Sequence, residues 1–468
     1  MAEPAVTAAL DLDDVQGLVV SGFRDMSHAV YVLVGLGDDP VRATAWLRAV
    51  TPRVSPGRRE GRHPDERIQL GLTATGLTAL GAPQVTIDGL PQELVDGMPA
   101  RARVLGDPVD DAGRPVGWTL CAPDRRTDAL LVLYGRDPAA RARLLDEQLA
   151  ALDGWAEVVA VEHSAGRGDV EPFGFADGLS QPFVEGQLGA PRPGQDTIRN
   201  GEIVLGYPNQ YGRLPEAPRL PGAGLPDDDL GRNGTYLVFR KLEQDVPGFW
   251  RYFRDQARRV AGRDDLATTE WLAARAMGRW RSGASLMQSP DADDPSWATP
   301  ERRNAFRYLD DDPLGMRCPI ASHVRRANPR DARGGTAAES LQVVNRHRIL
   351  RRGRAYGDAY SLEDLFADRP AGGDRGLLFV AVSASIARGF EFIQQTWLAN
   401  PGFHGLQQEP DPVVGGGGDD DDRYLTIPQH PVRLRLAGVP RFVRPRGGAY
   451  FFVPGLAALR ALGGPAPR

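Results

Sequence analysis

The sequence predicts an α+β fold in which helices cover one face of an antiparallel sheet. Segments with the two-residue apolar period of a strand alternate with segments of helical period, in the order strand, helix, strand, helix. The second half of the chain repeats the same types of element. A length of 468 residues suits two or three domains, or one domain that is duplicated.

The elements of the first half follow from short patterns in chain order. The apolar run AVYVLVGLGD (29–38) predicts a strand, and DDPVRATAWLRAV (38–50) predicts a helix with Asp at its cap and Pro in its first turn. The same criteria predict a strand and then a short helix at 67–81, a strand at 128–135, an amphipathic helix at 137–154 and a strand at 157–166.

A Gly- and Pro-rich stretch at 183–233 is too long for an ordinary loop, and we interpret it as a connector between domains. Beyond it, the patterns predict strands at 233–246, 375–382 and 449–455, and helices at 268–280, 383–397 and 456–463. The predicted domains are therefore residues 1–182 and residues 234–468.

Composition and charge argue against some classes of partner. The net charge is -5, from 56 basic and 61 acidic residues, so nothing indicates nucleic acid as an obligatory partner. Apolar runs such as GLLFVAV (376–382) are too short to cross a bilayer, so we expect no membrane insertion. The start of the chain shows no export signal, and we expect a cytoplasmic location. The oligomeric state stays open, with a homo-oligomer among the alternatives.

The histidine and cysteine patterns do not support a zinc site built from several ligands. The seven histidines form neither HxxxH nor HExxH, and the two cysteines lie far apart. A porphyrin fills the equatorial positions of its iron and needs one imidazole from the protein. The best single candidate is His323 in RCPIASHVRRANPR (317–330), where an apolar wall beside arginines suits a flat ring with two propionates. The alternative is a basic surface turn with an incidental histidine.

Two further segments can be interpreted either as functional or as ordinary turn and surface segments. PFGFADGLSQP (172–182) sets Asp177 among aromatic and small residues, where it is either a turn residue or a carboxylate held in an apolar pocket to move protons. HRILRRGRAYG (347–357) is dense in arginine. Most of these cations must be solvated, but a strand end there would carry one of them into a pocket.

Together and in this order, the three segments resemble those of the dye-decolorizing peroxidases. The family signature GxxDG stands here at 174–178, its heme-ligand segment looks like SHVRRANPR, and its distal arginine segment looks like RILRRGRAYG. In these segments His323 and Arg351 are the matching residues. The length and the segment GFEFIQQTW (389–397) resemble the larger, advanced subgroup of the family.

The resemblance implies two ferredoxin-like units, with one heme b in the C-terminal unit and its iron bound through His323. It also implies a peroxidase that reduces hydrogen peroxide and oxidises dyes, phenols or other small aromatic donors through a ferryl intermediate. In that activity, Asp177 transfers the proton of the peroxide, while Arg351 keeps Asp177 ionised and stabilises the developing charge.

Other residues become candidates for contacts with the heme. We expect Phe175 and Gly178 to shape the approach to the ring, with Gly178 allowing close approach of backbone. Leu377 and Phe379 alternate on a predicted strand, so they point the same way and would cover the distal face. Plain core packing is the alternative for this pair.

Three charged residues complete the predicted site. Arg325 and Arg330 are candidates for pairing with the propionates. Glu391 is the candidate for the carboxylate that bonds to the second ring nitrogen of the proximal histidine. A solvent-facing helical position is the alternative for Glu391.

Two other functions stay open at this point. One is a protein that binds or handles heme without significant peroxide turnover, and the other is a heme-free ferredoxin-like binding protein. Asp177 and Arg351 favour the enzyme, because storage of heme needs neither residue. Trp397, Tyr356 and Tyr450 are candidates for relaying electrons from bulky donors, with a structural role as the alternative.

Overall fold

The computed structural model describes residues 9–58, 65–166, 168–416 and 422–465. Residues 1–8, which bear on the expected cellular location, and His63 lie outside the described residues. The cytoplasmic location therefore stays a prediction.

Four antiparallel strands and the helices between them form the first unit. The strands are β1 (His28–Gly35), β2 (Glu66–Leu72), β3 (Ala129–Gly135) and β4 (Glu157–His163). The helices are α1 (Gly17–Val20), α2 (Pro40–Val50), α3 (Ala74–Ala79), α4 (Gln84–Asp88), α5 (Gln92–Ala100) and α6 (Pro138–Leu152). The strand order β4-β1-β3-β2, with α2 and α6 as the crossover helices, is the ferredoxin-like arrangement.

The predicted connector contains little regular structure. It includes the short parallel pair β5 (Phe183–Val184) and β6 (Thr197–Ile198) and two 3₁₀ turns, Asn200–Glu202 and Pro226–Asp228. Its residues nevertheless pack against the sheet, as described below.

The second unit repeats the strand order of the first. Its strands are β7 (Thr235–Gln244), β8 (Leu350–Arg351), β9 (Arg354–Tyr356), β10 (Gly376–Ser383), the separate hairpin β11 (Tyr424–Ile427) and β12 (Leu434–Ala437), and β13 (Val443–Val453). Its α-helices are α7 (Val246–Ala261), α8 (Leu266–Met277), α9 (His323–Ala327), α10 (Ala337–Asn345), α11 (Leu362–Phe366) and α12 (Leu456–Gly463). The order β13-β7-β10-β8, with β9 also paired to β10, corresponds to that of the first unit.

The two units share one continuous nine-stranded sheet. The join is the pairing of β2 with β13, where Leu72 lies opposite Phe452. The last helix, α12, returns to the first unit, where Arg48 donates a hydrogen bond to the carbonyl of Gly463 at 2.9 Å. The duplication predicted from the order of elements is therefore present, but the two halves are not separate bodies.

Both faces of the sheet are buried. Val30 and Val32 of β1 pack in a core with the long helices α2 and α6, as the sequence predicts. Tyr31 and Leu33, which point the opposite way, pack in a second core with α1 and residues 198–207. The connector thus covers the sheet face that the long helices leave open.

Two helical segments of the second unit differ from the sequence predictions. Helix α7 was not predicted, although Asp245 caps it by accepting from the N–H of Gly248 at 2.9 Å and Gly262 ends it at φ 71°. The helix predicted at 383–397 is largely π-helical, over Ala387–Glu391 and Ile393–Leu398. Such π-helical turns occur often at functional sites.

Within the described ranges, the structure has no helix that is both long enough and apolar enough to span a membrane.

Candidate active site

Three segments that are far apart in sequence meet at one cavity of about 270 Å³. His323 at the start of α9, Arg351 on β8 and Asp177 in the loop after β4 all line it. The residues that carry the family motifs therefore face a common space.

Apolar side chains form a large part of the cavity wall. They come from the loop after β4, from β10 and from the π-helical segment, and they include Phe175, Leu377, Phe379, Phe390, Ile393 and Leu398. Leu377 and Phe379 point into the cavity together because they lie two residues apart on one strand. Phe175 is held from behind by the ring of Trp250 on α7, stacked at 6.0 Å between centroids.

The imidazole of His323 is oriented by a buried carboxylate. Its Nδ1 lies 3.0 Å from Oδ2 of Asp411, whose side chain has no exposed surface. The N–H groups of Val413 and Val414 donate to the other oxygen of Asp411 at 2.9 and 2.8 Å. Because the carboxylate accepts the Nδ1 proton, Nε2 keeps its lone pair for a metal.

Asp411 therefore takes the place that the sequence analysis assigned to Glu391, and that assignment is wrong. Glu391 is buried, but its carboxylate accepts hydrogen bonds from Arg101 at 2.6 and 2.7 Å and from the hydroxyl of Tyr450 at 2.9 Å. Asp411 gives no clear signal in the sequence, since it lies 88 residues after His323 in a proline-flanked stretch that is typical of a turn.

Asp177 and Arg351 form an ion pair at 2.9 Å. The N–H of Gly178 donates to the same carboxylate oxygen at 2.5 Å. Gln181 ties the Asp177 loop to β8, because its side chain accepts from the N–H of Arg351 at 3.1 Å and donates to the carbonyl of Arg351 at 3.0 Å. The pair is thus fixed by backbone contacts on both sides.

The surroundings of Asp177 keep it ionised. Burial raises the pKa of Asp177, but the charge of Arg351, the hydrogen bonds from Gly178 and Arg351, and the more distant Arg24 together bring that pKa below its usual 3.8. The 35% of its side chain that is accessible leaves the carboxylate open to a reactant. A carboxylate in this state is a base at any pH above the acidic range.

A second carboxylate, Glu171, lines the cavity and was missed by the sequence analysis. It accepts from the N–H groups of Phe173 and Phe175 at 3.0 and 2.9 Å and from the side chain of Gln244 at 3.0 Å. Burial outweighs these bonds and raises the pKa of Glu171 to about 7. Glu171 therefore shapes the loop that carries Asp177 and titrates near neutral pH.

Arg325 and Arg330, the predicted partners of the propionates, do not line the cavity, so that prediction is wrong. Arg325 is buried and donates to the carboxylate of Asp312 at 2.9 Å and to the carbonyl of Cys318 at 2.7 Å. Arg330 is also buried and donates to backbone carbonyls, including that of Asn304 at 3.0 Å. Both guanidinium groups are therefore engaged in hydrogen bonds within the protein and are not available to a ligand in the cavity.

Other arginines supply positive charge to the cavity wall. They are Arg240, Arg279, Arg348, Arg351 and Arg441. Arg240 is paired with Asp107. Arg348 donates to the carbonyl of Ser180 at 2.9 Å and lies 3.5 Å from Asp196, a carboxylate that it shares with Arg307. Arg441 makes no ion pair within the described part of the chain, so its charge is available to a ligand.

Gly178 has a different role from the predicted close approach to the ring, because it does not line this cavity. Its backbone is left-handed, at φ 70°, and an added Cβ would lie 2.1 Å from the guanidinium of Arg24. Arg24 donates to the carbonyl of Gly178 at 3.2 Å. The glycine is thus needed for the turn and for Arg24.

A second cavity of about 600 Å³ also borders the Asp177–Arg351 pair. Asp177, Arg351, Glu171 and Leu377 contribute to the walls of both cavities. Both members of the ion pair therefore border two cavities.

The residues around the first cavity fit a heme. Among the described residues, no three His, Cys, Asp or Glu side chains are grouped closely enough to hold a bare metal ion. His323 alone would need a macrocycle to complete the coordination of a metal. The apolar wall suits a flat ring, and Arg441 and Arg348 offer cations for its propionates.

A second histidine, His347, also lines the cavity. Its Nδ1 lies 2.6 Å from the carbonyl oxygen of Arg388, and its ring stacks on Phe392 at 3.7 Å. A carbonyl partner leaves the imidazole less electron-rich than a carboxylate does, so His323 is the better iron ligand of the two.

Comparison with known proteins shows which family the chain is similar to. A family model described as "Dyp-type peroxidase, C-terminal" matches residues 222–404. A multifunctional dye peroxidase of an Amycolatopsis species is 34% identical over 358 residues, which cover 72% of this chain and 71% of that protein. A dye-decolorizing peroxidase of Exidia glandulosa is 29% identical over 478 residues, covering 98% of this chain and 88% of the relative.

Solved structures agree over almost the whole chain. An ancestral D-type dye-decolorizing peroxidase matches with a TM-score of 0.81 and 29% identity, covering 97% of this chain and 99% of that chain. A dye-decolorizing peroxidase in complex with 2,6-dimethoxyphenol matches with a TM-score of 0.78 and 27% identity, covering 96% and 98%. The fold, the cavity and these similarities show that the chain belongs to the dye-decolorizing peroxidase family.

Proposed function

We propose that this protein is a heme peroxidase that reduces hydrogen peroxide and oxidises dyes, phenols or other small aromatic donors. The observation that carries the proposal is the shared cavity, in which His323 and the Asp177–Arg351 pair face the same space. Family membership supports the proposal, since the relatives are named as dye-decolorizing peroxidases.

The chain's own residues would hold the cofactor, one heme b, in four ways. His323 would bind the iron, and Asp411 would fix the orientation of the imidazole. Arg348 and Arg441 would pair with the propionates, and the apolar wall would exclude water from the ring faces. Bound there, heme supplies the iron at which hydrogen peroxide is reduced and the oxidising equivalents that donors consume.

Asp177 moves one proton within hydrogen peroxide. Its carboxylate accepts the proton from one peroxide oxygen and returns it to the other, which then departs as water when the O–O bond breaks. Ion pairing with Arg351 keeps the carboxylate in the basic form that the first transfer requires. The guanidinium of Arg351 also stabilises the negative charge that develops on the departing oxygen.

Small aromatic donors are supported by the relative whose structure contains 2,6-dimethoxyphenol. The donors give up two electrons for each hydrogen peroxide, and two protons complete the two water molecules. Heme b, peroxide and aromatic donors are thus the proposed cofactor and partners of the chain.

An absorption spectrum before and after peroxide tests the proposal. We expect the ferric protein to show a Soret band that changes rapidly on addition of one equivalent of hydrogen peroxide and returns when a phenol is added. An unchanged Soret band would indicate a heme-handling protein. Absence of the band, even after addition of hemin, would indicate a heme-free binding protein.

A further inference from the structure

A third cavity, of about 550 Å³, lies where β7 ends and α7 begins. Unlike the heme cavity, it is lined mainly by charged side chains. Five arginines contribute to it, namely Arg251, Arg254, Arg369, Arg375 and Arg444. Neither the sequence motifs nor the proposed mechanism uses any of them.

Most of the carboxylates in this cavity already have other partners. Glu243 pairs with Arg446, Asp245 caps α7, and Asp374 accepts from the hydroxyl of Tyr356 at 3.0 Å and lies 3.6 Å from Lys241. The fourth carboxylate, on Asp368, belongs to a side chain that is 92% exposed. The positive charge of the cavity is therefore balanced only in part. Arg369 pairs with Asp364 at 2.6 Å and Arg254 lies 3.9 Å from Asp368, whereas Arg251, Arg375 and Arg444 make no ion pair among the described residues.

Two of the arginines carry N–H groups that lack an acceptor among the described residues. Arg375 is 4% exposed, and its Nη1 is unpartnered while its Nη2 donates to the carbonyl of Gly372. Arg254 has an unpartnered buried Nε, and its nearest carboxylate is that of Asp368 at 3.9 Å. Unpartnered buried donors are costly to the fold, so an anionic ligand would stabilise both groups.

The cavity also has an aromatic wall and a short route to the heme cavity. The ring centroid of Tyr360 lies 5.6 Å from the guanidinium carbon of Arg375. Gln244 lines this cavity and the heme cavity alike, and its buried Oε1 finds no donor among the described residues. The two cavities therefore adjoin at Gln244.

We propose that this arginine-lined cavity binds an anionic aromatic electron donor, held by its carboxylate or sulfonate group against Arg254, Arg375 and Arg444. Guanidinium forks match such groups bidentately, and Tyr360 offers a face for the aromatic ring. The bound donor loses one electron to the oxidised heme centre, so two donors are consumed for each hydrogen peroxide. This assignment rests on the proposed peroxidase function.

Direct binding to the holoenzyme tests the site without turnover. Titration calorimetry with a naphthalenesulfonate is expected to show binding that weakens at least about tenfold in an Arg254→Gln/Arg444→Gln double variant. Arg259→Gln is the matched control, because Arg259 lies exposed on the same helix, α7, but outside the cavity. Equal affinities in the double variant, the control and the wild type would overturn the proposal.

Steady-state kinetics then separate this site from the function as a whole. In the double variant, the KM for a sulfonated dye should rise at least about tenfold, whereas the KM for neutral 2,6-dimethoxyphenol should stay unchanged. Equal rises for both donors would contradict a site that recognises the anionic group. If the wild type oxidises neither donor, the peroxidase function fails, and the calorimetry still decides whether the anion site exists.

Arg375→Gln gives an independent variant for the buried part of the site. If it folds, as judged by an unchanged Soret band and circular dichroism, binding of the naphthalenesulfonate should again weaken about tenfold. Retained affinity in a folded Arg375→Gln protein would contradict the assigned role of Arg375.

Discussion

Asp177 depends on its neighbours for its chemistry. Burial alone would raise the pKa of this carboxyl, and the charge of Arg351 is the largest effect in the opposite direction. The same residue type in an exposed Asp-Gly turn would have no such constraint. The ion pair, at 2.9 Å, therefore keeps the carboxylate of Asp177 ionised, so that it can act as a base.

Replacing Arg351 should move the acid limit of the reaction with peroxide. In the wild type, the midpoint of the acid-side fall in the rate constant should lie below 3.8, the usual pKa of an aspartate, because the pKa of Asp177 is lowered. In Arg351→Gln, the pKa of Asp177 rises, so the midpoint of this fall should move to higher pH. Stopped-flow measurements across the acidic range give the profile. Arg192→Gln, which removes an exposed charge at the second cavity, should leave the midpoint in place.

Glu171 should make the folded protein less stable as the pH rises. Its pKa is about 7 in the folded protein against a usual 4.5, so the fold favours its neutral form. Its contribution to stability is therefore complete below pH 4.5 and is lost as the pH rises through about 7. Glu171→Gln should flatten the dependence of Tm on pH in this window, measured by calorimetry. Glu216→Gln, at an exposed site, is the control. If Tm depends on pH equally steeply in Glu171→Gln, in this control and in the wild type, the assigned role of Glu171 is contradicted.

Helix α7 connects the core of the second unit to the active-site loop. Phe249 of α7 is fully buried and stacks on Phe173 at 4.3 Å between centroids. Phe173 immediately precedes the GxxDG turn. Packing of α7 therefore positions the loop that carries Asp177.

Truncation of Phe249 tests this role of α7. Phe249→Ala should lower the free energy of unfolding by about 3–5 kcal/mol, as for other buried phenylalanines. It should also slow the reaction with peroxide, because the loop loses its support. Val260→Ala, an exposed apolar residue near the end of the same helix, should change neither quantity measurably. Denaturant unfolding and stopped-flow spectroscopy measure the two effects.

The strands could be predicted from the sequence because they are short apolar runs between turn residues, as in LLVLYG of β3. Helix α7 was missed although its signals are present in the sequence: Val246, Phe249, Trp250, Phe253 and Ala257 follow the helical period, and Asp245 with Pro247 is a helix start. Asp411, by contrast, was missed because its partnership with His323 is a long-range contact, and nothing local to Asp411 indicates it.

The active site depends on the junction of the two units. Asp177 and Glu171 follow the last strand of the first unit, whereas His323 and Arg351 belong to the second. The shared sheet fixes these groups relative to one another. The repeat of element types predicted the duplication, but it did not predict that the two sheets would join through β2 and β13.

Heme bound between these elements should stabilise the whole fold. A ligand present at 100 times its Kd adds about 2.7 kcal/mol to the stability of the state that binds it. Calorimetry should therefore show a higher Tm for the holoprotein than for the heme-free protein, and His323→Ala should reduce the difference. His347→Ala is the matched control, and a larger loss in this variant would make His347 the iron ligand instead.

The most direct test of the central claim is the rate at which the ferric holoenzyme reacts with hydrogen peroxide when Asp177 is replaced. In Asp177→Asn, heme should remain bound, and the rate constant should fall by about 10²–10⁴. Asp169→Asn, which removes a nearby carboxylate that pairs with Arg24 at 2.8 Å, should react at close to the wild-type rate. A wild-type rate in Asp177→Asn with heme fully bound would contradict the proton-transfer role of Asp177.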